Sequence, residues 1–237
     1  MDMAAEPRST GTTTHDQTLQ RREARQQGVR LIKDFTVLTL SGSLRKASLN
    51  TAMLTMAADC APPGLRMTPH RGLGDLPLFS PDLELNEPPS VARLRNEIAM
   101  ADAVIIASPE YAHGVSGVMK NALDWMVATG VFVDKAVVLW NASPRASIAL
   151  AALRETLIVM SARLVNEAAM ELLIKPADAA DRPVNPDRVA MQTALLALHS
   201  ALTLREHSPD ANCQRSTRSL IATPATLIRP PNGSAAA

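Results

Sequence analysis

The sequence predicts an α/β domain, a parallel sheet with helices packed on both faces. Two observations carry this. Short apolar runs alternate along the chain with longer stretches whose apolar residues recur at helical spacing. Most runs also stop at a turn rich in Ser, Gly, Pro or Asn, which is how a buried parallel strand usually ends. Helical crossovers then join the strands in right-handed units. No repeat of roughly 20–50 residues is visible, so a solenoid is excluded.

The elements follow in order. Residues 35–40 (FTVLTL) form a buried strand that stops at Ser41-Gly42-Ser43. Ser48 then suits an N-cap, with Leu49, Ala52, Met53, Met56 and Ala57 on one helical face. Pro62-Pro63-Gly64 ends that helix, and residues 65–69 are a weaker strand. A Gly- and Pro-rich loop leads to Ser90, placed to cap a helix carrying Val91, Leu94 and Ile98. Residues 103–107 (AVIIA) are the clearest buried strand. Ser116 opens a helix with Val118, Ala122, Leu123 and Met126 inward. Residues 136–140 (AVVLW) are a third strong strand, with a loop over 141–145. Ala149, Ala152, Leu153, Thr156, Leu157 and Met160 make one helical stripe. A last strand lies within 164–173, and Asn185-Pro186 starts a helix that runs to about Leu204.

Composition narrows the function. Twenty-four Lys+Arg balance 23 Asp+Glu, a formal charge of +1, so a nucleic-acid partner is not expected. The aromatic content of 3% supplies no stacking platform for single strands. Cys60 and Cys213 belong to no Cys/His cluster, which argues against a disulfide scaffold and against a metal site. No apolar run reaches the roughly 20 residues of a membrane helix. Arg21-Arg22 is not followed by an apolar segment, so a cytoplasmic protein is expected. Residues 1–33 read as a flexible extension, with a short helix near 18–27 as an option. Residues 34–204 read as the domain and 205–237 as a mobile tail.

Ligands of such a sheet sit outside the carboxyl ends of its strands, where the strand order reverses. Three loops qualify. The first, SGSLRKASLN, has neither the P-loop pattern nor GxGxxG. It offers Ser41, Ser43 and Ser48 hydroxyls, the Asn50 amide, Arg45 and a helix N-terminus. Those groups suit a phosphate monoester, or equally an ordinary capped turn with a solvated Arg45. In the second, SPEYAHGVSG, Pro109 stiffens the backbone and Gly114 leaves room for a ligand. Tyr111, the single tyrosine, suits an apolar wall with a polar tip, or a core or interface position. Glu110 and His113 are polar contacts of undecided role. The third loop, NASPRAS, contains Arg145, which suits either a second phosphate or solvent. Trp125 and Met126 suit a subunit contact or the core.

GSLRKASLN followed by SPEYAHGVSGVMKNALDW, each at a strand end, resembles the NADPH-dependent FMN reductase family of flavodoxin-like proteins. The likeness spans residues 35–173. It implies a flavodoxin-like three-layer sandwich with a five-stranded parallel sheet, FMN at the strand ends, NADPH as hydride donor, and a homodimer or homotetramer. It places the FMN phosphate at Ser43, Arg45, Ser48 and Asn50, and the flavin ring beside Pro109, Glu110, Tyr111, Ala112 and His113. The family often has Asn at position 112 and Pro at 116; here Ala112 and Ser116 stand there. The third loop also lacks the glycines often found in it.

The implied function is an FMN-dependent NAD(P)H oxidoreductase. Hydride passes from NADPH to FMN, then to a small-molecule acceptor such as a quinone, azo compound, metal oxyanion or free flavin. The flavin carries the chemistry, so no catalytic side chain is required; water and His113 are the proton sources in view. Two alternatives are a non-enzymatic FMN electron carrier and a redox-silent phosphate-ligand or protein-binding module on the same fold.

Overall fold

A computed structural model describes residues 34–143, 146–172 and 186–206. The expectations for residues 1–33, for Pro144 and Arg145, for Asn185 and for the tail beyond 206 lie outside these residues. The described strands are β1 (Phe35–Ser41), β2 (Leu65–Pro69), β3 (Ala103–Ala107), β4 (Glu110–Tyr111), β5 (Gly114–Val115), β6 (Ala136–Asn141), β7 (Arg163–Leu164) and β8 (Met170–Glu171). The helices are α1 (Leu49–Cys60), α2 (Pro89–Met100), α3 (Gly117–Val127), α4 (Ser147–Val159) and α5 (Pro186–Glu206).

The main sheet is parallel, in the order β2-β1-β3-β6-β7, and β8 pairs with β6 further along the same edge. The sheet therefore has five positions, the last filled by two short strands. The break between them has a cause on β6. Trp140 is buried, and its indole N–H donates to the Ala168 carbonyl at 2.9 Å, inside a 3-10 turn over Asn166–Ala168. The chain bulges to meet the indole and then returns to the sheet at Met170.

Pleating sorts the strand residues onto two cores. In β3, Ala103, Ile105 and Ala107 join a core with Met53 of α1 and Leu195 and Leu198 of α5. Val104 and Ile106 point the other way, toward Leu94 of α2, Leu123 of α3 and Leu157 of α4. Helices thus cover both faces, as the continuous apolar strands require. The strand order runs outward from β1 to β2 on one side and from β1 to β3 on the other. The topological switch point therefore lies between β1 and β3, and a ligand crevice is expected outside their carboxyl ends.

Two local expectations change. Helix α2 starts at Pro89 behind Pro88, one residue ahead of Ser90, so Ser90 is not its cap. Proline is pre-set for the first helical position and takes it. Ala152 is exposed; the inward stripe of α4 is Ala149, Leu153 and Leu157. Helix α5 reaches Glu206, and Arg205 donates to the Asp134 carbonyl at 2.8 Å.

Trp125 and Met126 are core residues. The Trp125 indole N–H donates to the Pro77 carbonyl at 2.8 Å, and its ring meets Phe79 edge-on at 5.2 Å. Asn121 donates to the same carbonyl at 2.9 Å and accepts from Phe79 N–H at 2.8 Å. These bonds fold the Gly- and Pro-rich loop down over α3.

Candidate flavin site

The three strand-end loops converge on one cleft of about 430 Å³, within the size range of small-molecule sites. Its described wall includes Ser43, Arg45, Ser48 and Asn50 from the first loop and Ser108, Pro109, Glu110, Tyr111 and His113 from the second. Asn141, Ala142, Ser143 and Ala146 come from the third. Eight of the nine expected site residues therefore meet here. Ala112 is exposed on the tip of the second loop and is not part of the wall.

The first loop is built as a cap. Ser48 Oγ accepts the Thr51 N–H at 3.2 Å and opens α1. Ser41 Oγ pairs with Thr51 Oγ1 at 2.8 Å, and Ser43 Oγ accepts the Arg45 N–H at 3.4 Å. No acidic residue lies in the first turn of α1, so the positive end of its dipole is not neutralised there. Arg45 is exposed at this end of the cleft. The Asn50 side chain is buried, and its Oδ1 has no hydrogen-bond partner.

Gly42 lets the first two loops touch. A Cβ at this position would lie 2.4 Å from Ser108 Oγ and 2.9 Å from Ser116 Oγ. The Ser108 and Ser116 hydroxyls are themselves paired at 3.2 Å. Ser116 stands at the N-cap of α3 but makes no capping bond, because its hydroxyl serves this contact.

The second loop is a two-residue hairpin, with Glu110 opposite Val115 and Tyr111 opposite Gly114. Its turn residues Ala112 and His113 have φ of 49° and 60°. Positive φ at both central positions is the type I′ arrangement, normally filled by Asn-Gly. Alanine is strained there and asparagine is not. Ala112→Asn is expected to stabilise the domain by about 1 kcal/mol, read as a melting temperature higher by about 2–4 °C.

Glu110 locks this hairpin to the third loop. Its Oε2 accepts the Ala149 N–H at 2.9 Å, and its Oε1 pairs with His113 Nδ1 at 3.0 Å. Ala149 lies in the first turn of α4, whose N-cap residue, Ala146, has no side chain able to cap. Glu110 thus caps a helix 39 residues away in sequence. The Ala149 bond holds the Glu110 carboxyl below the ordinary glutamate range, and the His113 bond and charge add to this. A lowered folded-state pKa makes the ionised form stabilising above the unfolded value, with the benefit lost as pH falls through the folded one. Glu110→Gln is therefore expected to melt below the parent at pH 7, with the gap closing in acid. Paired melts from pH 7 to pH 3 check this.

Asn141 is a wall residue that the sequence reading placed in the third loop without a role. It ends β6 and is buried, and its Oδ1 accepts the Ser143 N–H at 3.0 Å. Its Nδ2 has no partner. The available signal was a polar residue continuing an otherwise apolar strand. Among the described residues no group of His, Cys, Asp and Glu could hold a metal ion. No described helix is long and apolar enough to cross a membrane.

A 2-1-3 strand order with a cleft at the switch point defines a flavodoxin-like α/β protein. The sequence profile of the NADPH-dependent FMN reductase family matches residues 35–172, and the chain belongs to that family. It is 43% identical over 93 residues to an NAD(P)H-dependent FMN reductase of Pseudomonas aeruginosa, covering 39% of this chain and 50% of the relative. It is 46% identical over 94 residues to an NADPH:quinone oxidoreductase of Arabidopsis thaliana, covering 38% and 47%. The chain thus spans about half the length of these curated relatives. The flavoenzyme NAD(P)H:(acceptor) oxidoreductase FerB of Paracoccus denitrificans superposes with a TM-score of 0.60 at 26% identity, covering 72% of this chain and 98% of that one.

Proposed function

We propose that this chain binds FMN in the strand-end cleft and acts as an NAD(P)H-dependent oxidoreductase that reduces a small acceptor of the quinone, azo, metal-oxyanion or free-flavin class. The observation that carries this reading is the mixed lining of the cleft. The first loop brings hydroxyls, Arg45 and a helix N-terminus, a donor set that fits a phosphate. The second and third loops bring Tyr111, Ala142 and Ala146, which suit a flat apolar ring. The one acid on the described wall, Glu110, has both oxygens bonded, one to the Ala149 N–H and one to His113 Nδ1. Asn50 Oδ1 and Asn141 Nδ2 leave hydrogen-bonding capacity at the cleft.

When bound, FMN supplies the hydride-transfer chemistry that no side chain can. The protein's part is to bind and orient. Ser43, Arg45, Ser48 and Asn50 would hold the phosphate, and the Pro109–Tyr111 segment would contact the ring. NADPH and acceptor would then use the same cleft in turn, and ping-pong kinetics are expected. A homodimer or homotetramer and a cytoplasmic setting accompany this reading. Exposed Val127, Val133, Ile158 and Val159, on or beside α3 and α4, supply apolar surface for self-association.

Arg45→Ala tests the phosphate end. It is expected to weaken FMN binding about tenfold, the loss of one charge-assisted contact. Titration of FMN into the stripped protein measures it. Unchanged affinity moves the phosphate away from this loop.

A further inference from the structure

We propose that Glu110 and His113 form a proton-delivering dyad, with His113 as the catalytic acid that protonates the oxygen of a quinone-type acceptor while hydride reaches the same molecule. The proposal rests on the redox reading above and deepens it.

The dyad is built, not incidental. The Glu110 side chain is only 10% exposed, while that of His113 is 78% exposed and forms part of the cleft wall. Glu110 is fixed from behind by the Ala149 N–H, so it cannot follow the imidazole about. An ionised carboxylate accepts only, so Nδ1 must be the donor in their 3.0 Å contact. That leaves Nε2 as the outward nitrogen. The turn holds His113 at a φ of 60°, which fixes where its Cα–Cβ bond leaves the backbone.

Elimination points to the same residue. The titratable groups of the described wall are Arg45, Glu110, Tyr111 and His113. Arginine keeps its proton in proteins, and a phenol is a weaker acid than an imidazolium. Glu110 has no free oxygen in this arrangement. That leaves the His113 imidazole, whose two ring nitrogens can hold and pass on a proton.

The reaction balances. NADPH, quinone and one proton give NADP⁺ and hydroquinone. Hydride supplies both electrons and the first hydrogen. The second hydrogen leaves imidazolium Nε2 as a proton: an N–H bond breaks and an O–H bond forms. Neutral His113 keeps its Nδ1–H on Glu110 and regains a proton at Nε2 from water.

The test uses the full-length protein loaded with FMN. His113→Asn keeps a residue that tolerates positive φ and offers an amide donor toward Glu110, but it has no proton to give. NADPH turnover is compared with benzoquinone, which takes up protons, and ferricyanide, which takes up electrons alone. The quinone-to-ferricyanide ratio per bound flavin is expected to fall at least about tenfold, a floor below the usual range for general acids. Added imidazole is expected to restore the ratio in His113→Gly. Independently of turnover, ¹⁵N NMR of the flavin-free protein is expected to show neutral His113 as the Nδ1–H tautomer. An unchanged ratio in His113→Asn, or the Nε2–H tautomer in the parent, overturns the dyad. A parent that binds FMN but passes no electrons from NADPH to ferricyanide overturns the redox reading beneath it.

Discussion

Replacing Gly42 with valine is expected to weaken FMN binding roughly a hundredfold and to destabilise the domain by about 1–3 kcal/mol, the usual cost of overpacking. The position has no slack. Its N–H donates to the Ala107 carbonyl at 2.8 Å, which ties the first loop to the end of β3. The new Cβ would meet Ser108 Cβ at 2.8 Å as well as two hydroxyls. Rotating Ser108 removes the hydroxyl clash but not the Cβ contact. The loops must part, and Ser43 and Arg45 move away from the second loop with them. Losing two phosphate contacts at about 1.5 kcal/mol each corresponds to that hundredfold change. FMN titration and thermal melts measure the two effects. A Gly42→Val protein with parental affinity would show that the first two loops do not act together.

Lys135→Met is expected to cost stability while sparing the cleft. Lys135 is 2% exposed, and its Nζ donates to the carbonyls of Ala101 and Ala99 at 2.5 and 3.2 Å. These carbonyls lie at the C-terminal end of α2, where backbone oxygens lack partners and the dipole favours a cation. Methionine fills similar space but donates nothing. Two charge-assisted bonds, each near the low end of their usual worth, total about 3 kcal/mol. That corresponds to a melting temperature lower by about 6–12 °C. FMN affinity at a temperature where the variant stays folded is expected to match the parent.

Much of this was legible in the sequence because it depends on local pattern. AVIIA and AVVLW read as buried strands since both of their faces are covered, and continuous apolar runs record that directly. Ser48 read as a cap because its chemistry is local: its hydroxyl bonds three residues ahead. The site loops followed from strand ends and motif. What escaped depends on distant partners or on unusual residues. The hairpin at Glu110–Val115 escaped because Ala112-His113 carries none of the Asn-Gly signal for a type I′ turn. Glu110 read as a polar contact of undecided role because its second partner, Ala149, is set by the packing of α4 and not by spacing. The broken edge of the sheet escaped because it closes on a distant partner, the Trp140 indole bonded to the Ala168 carbonyl. Pro88-Pro89 masked the start of α2, since a cap hydroxyl is the stronger textual cue and proline geometry the stronger physical one.

The reading stands or falls on whether this cleft holds FMN where NADPH can reduce it. The direct measurement is the visible absorbance of the FMN-loaded, full-length protein during anaerobic titration with NADPH. The yellow band is expected to bleach in proportion to added NADPH and to return when a quinone is admitted. A protein that takes up no FMN, or that takes it up and stays yellow under excess NADPH, would contradict it.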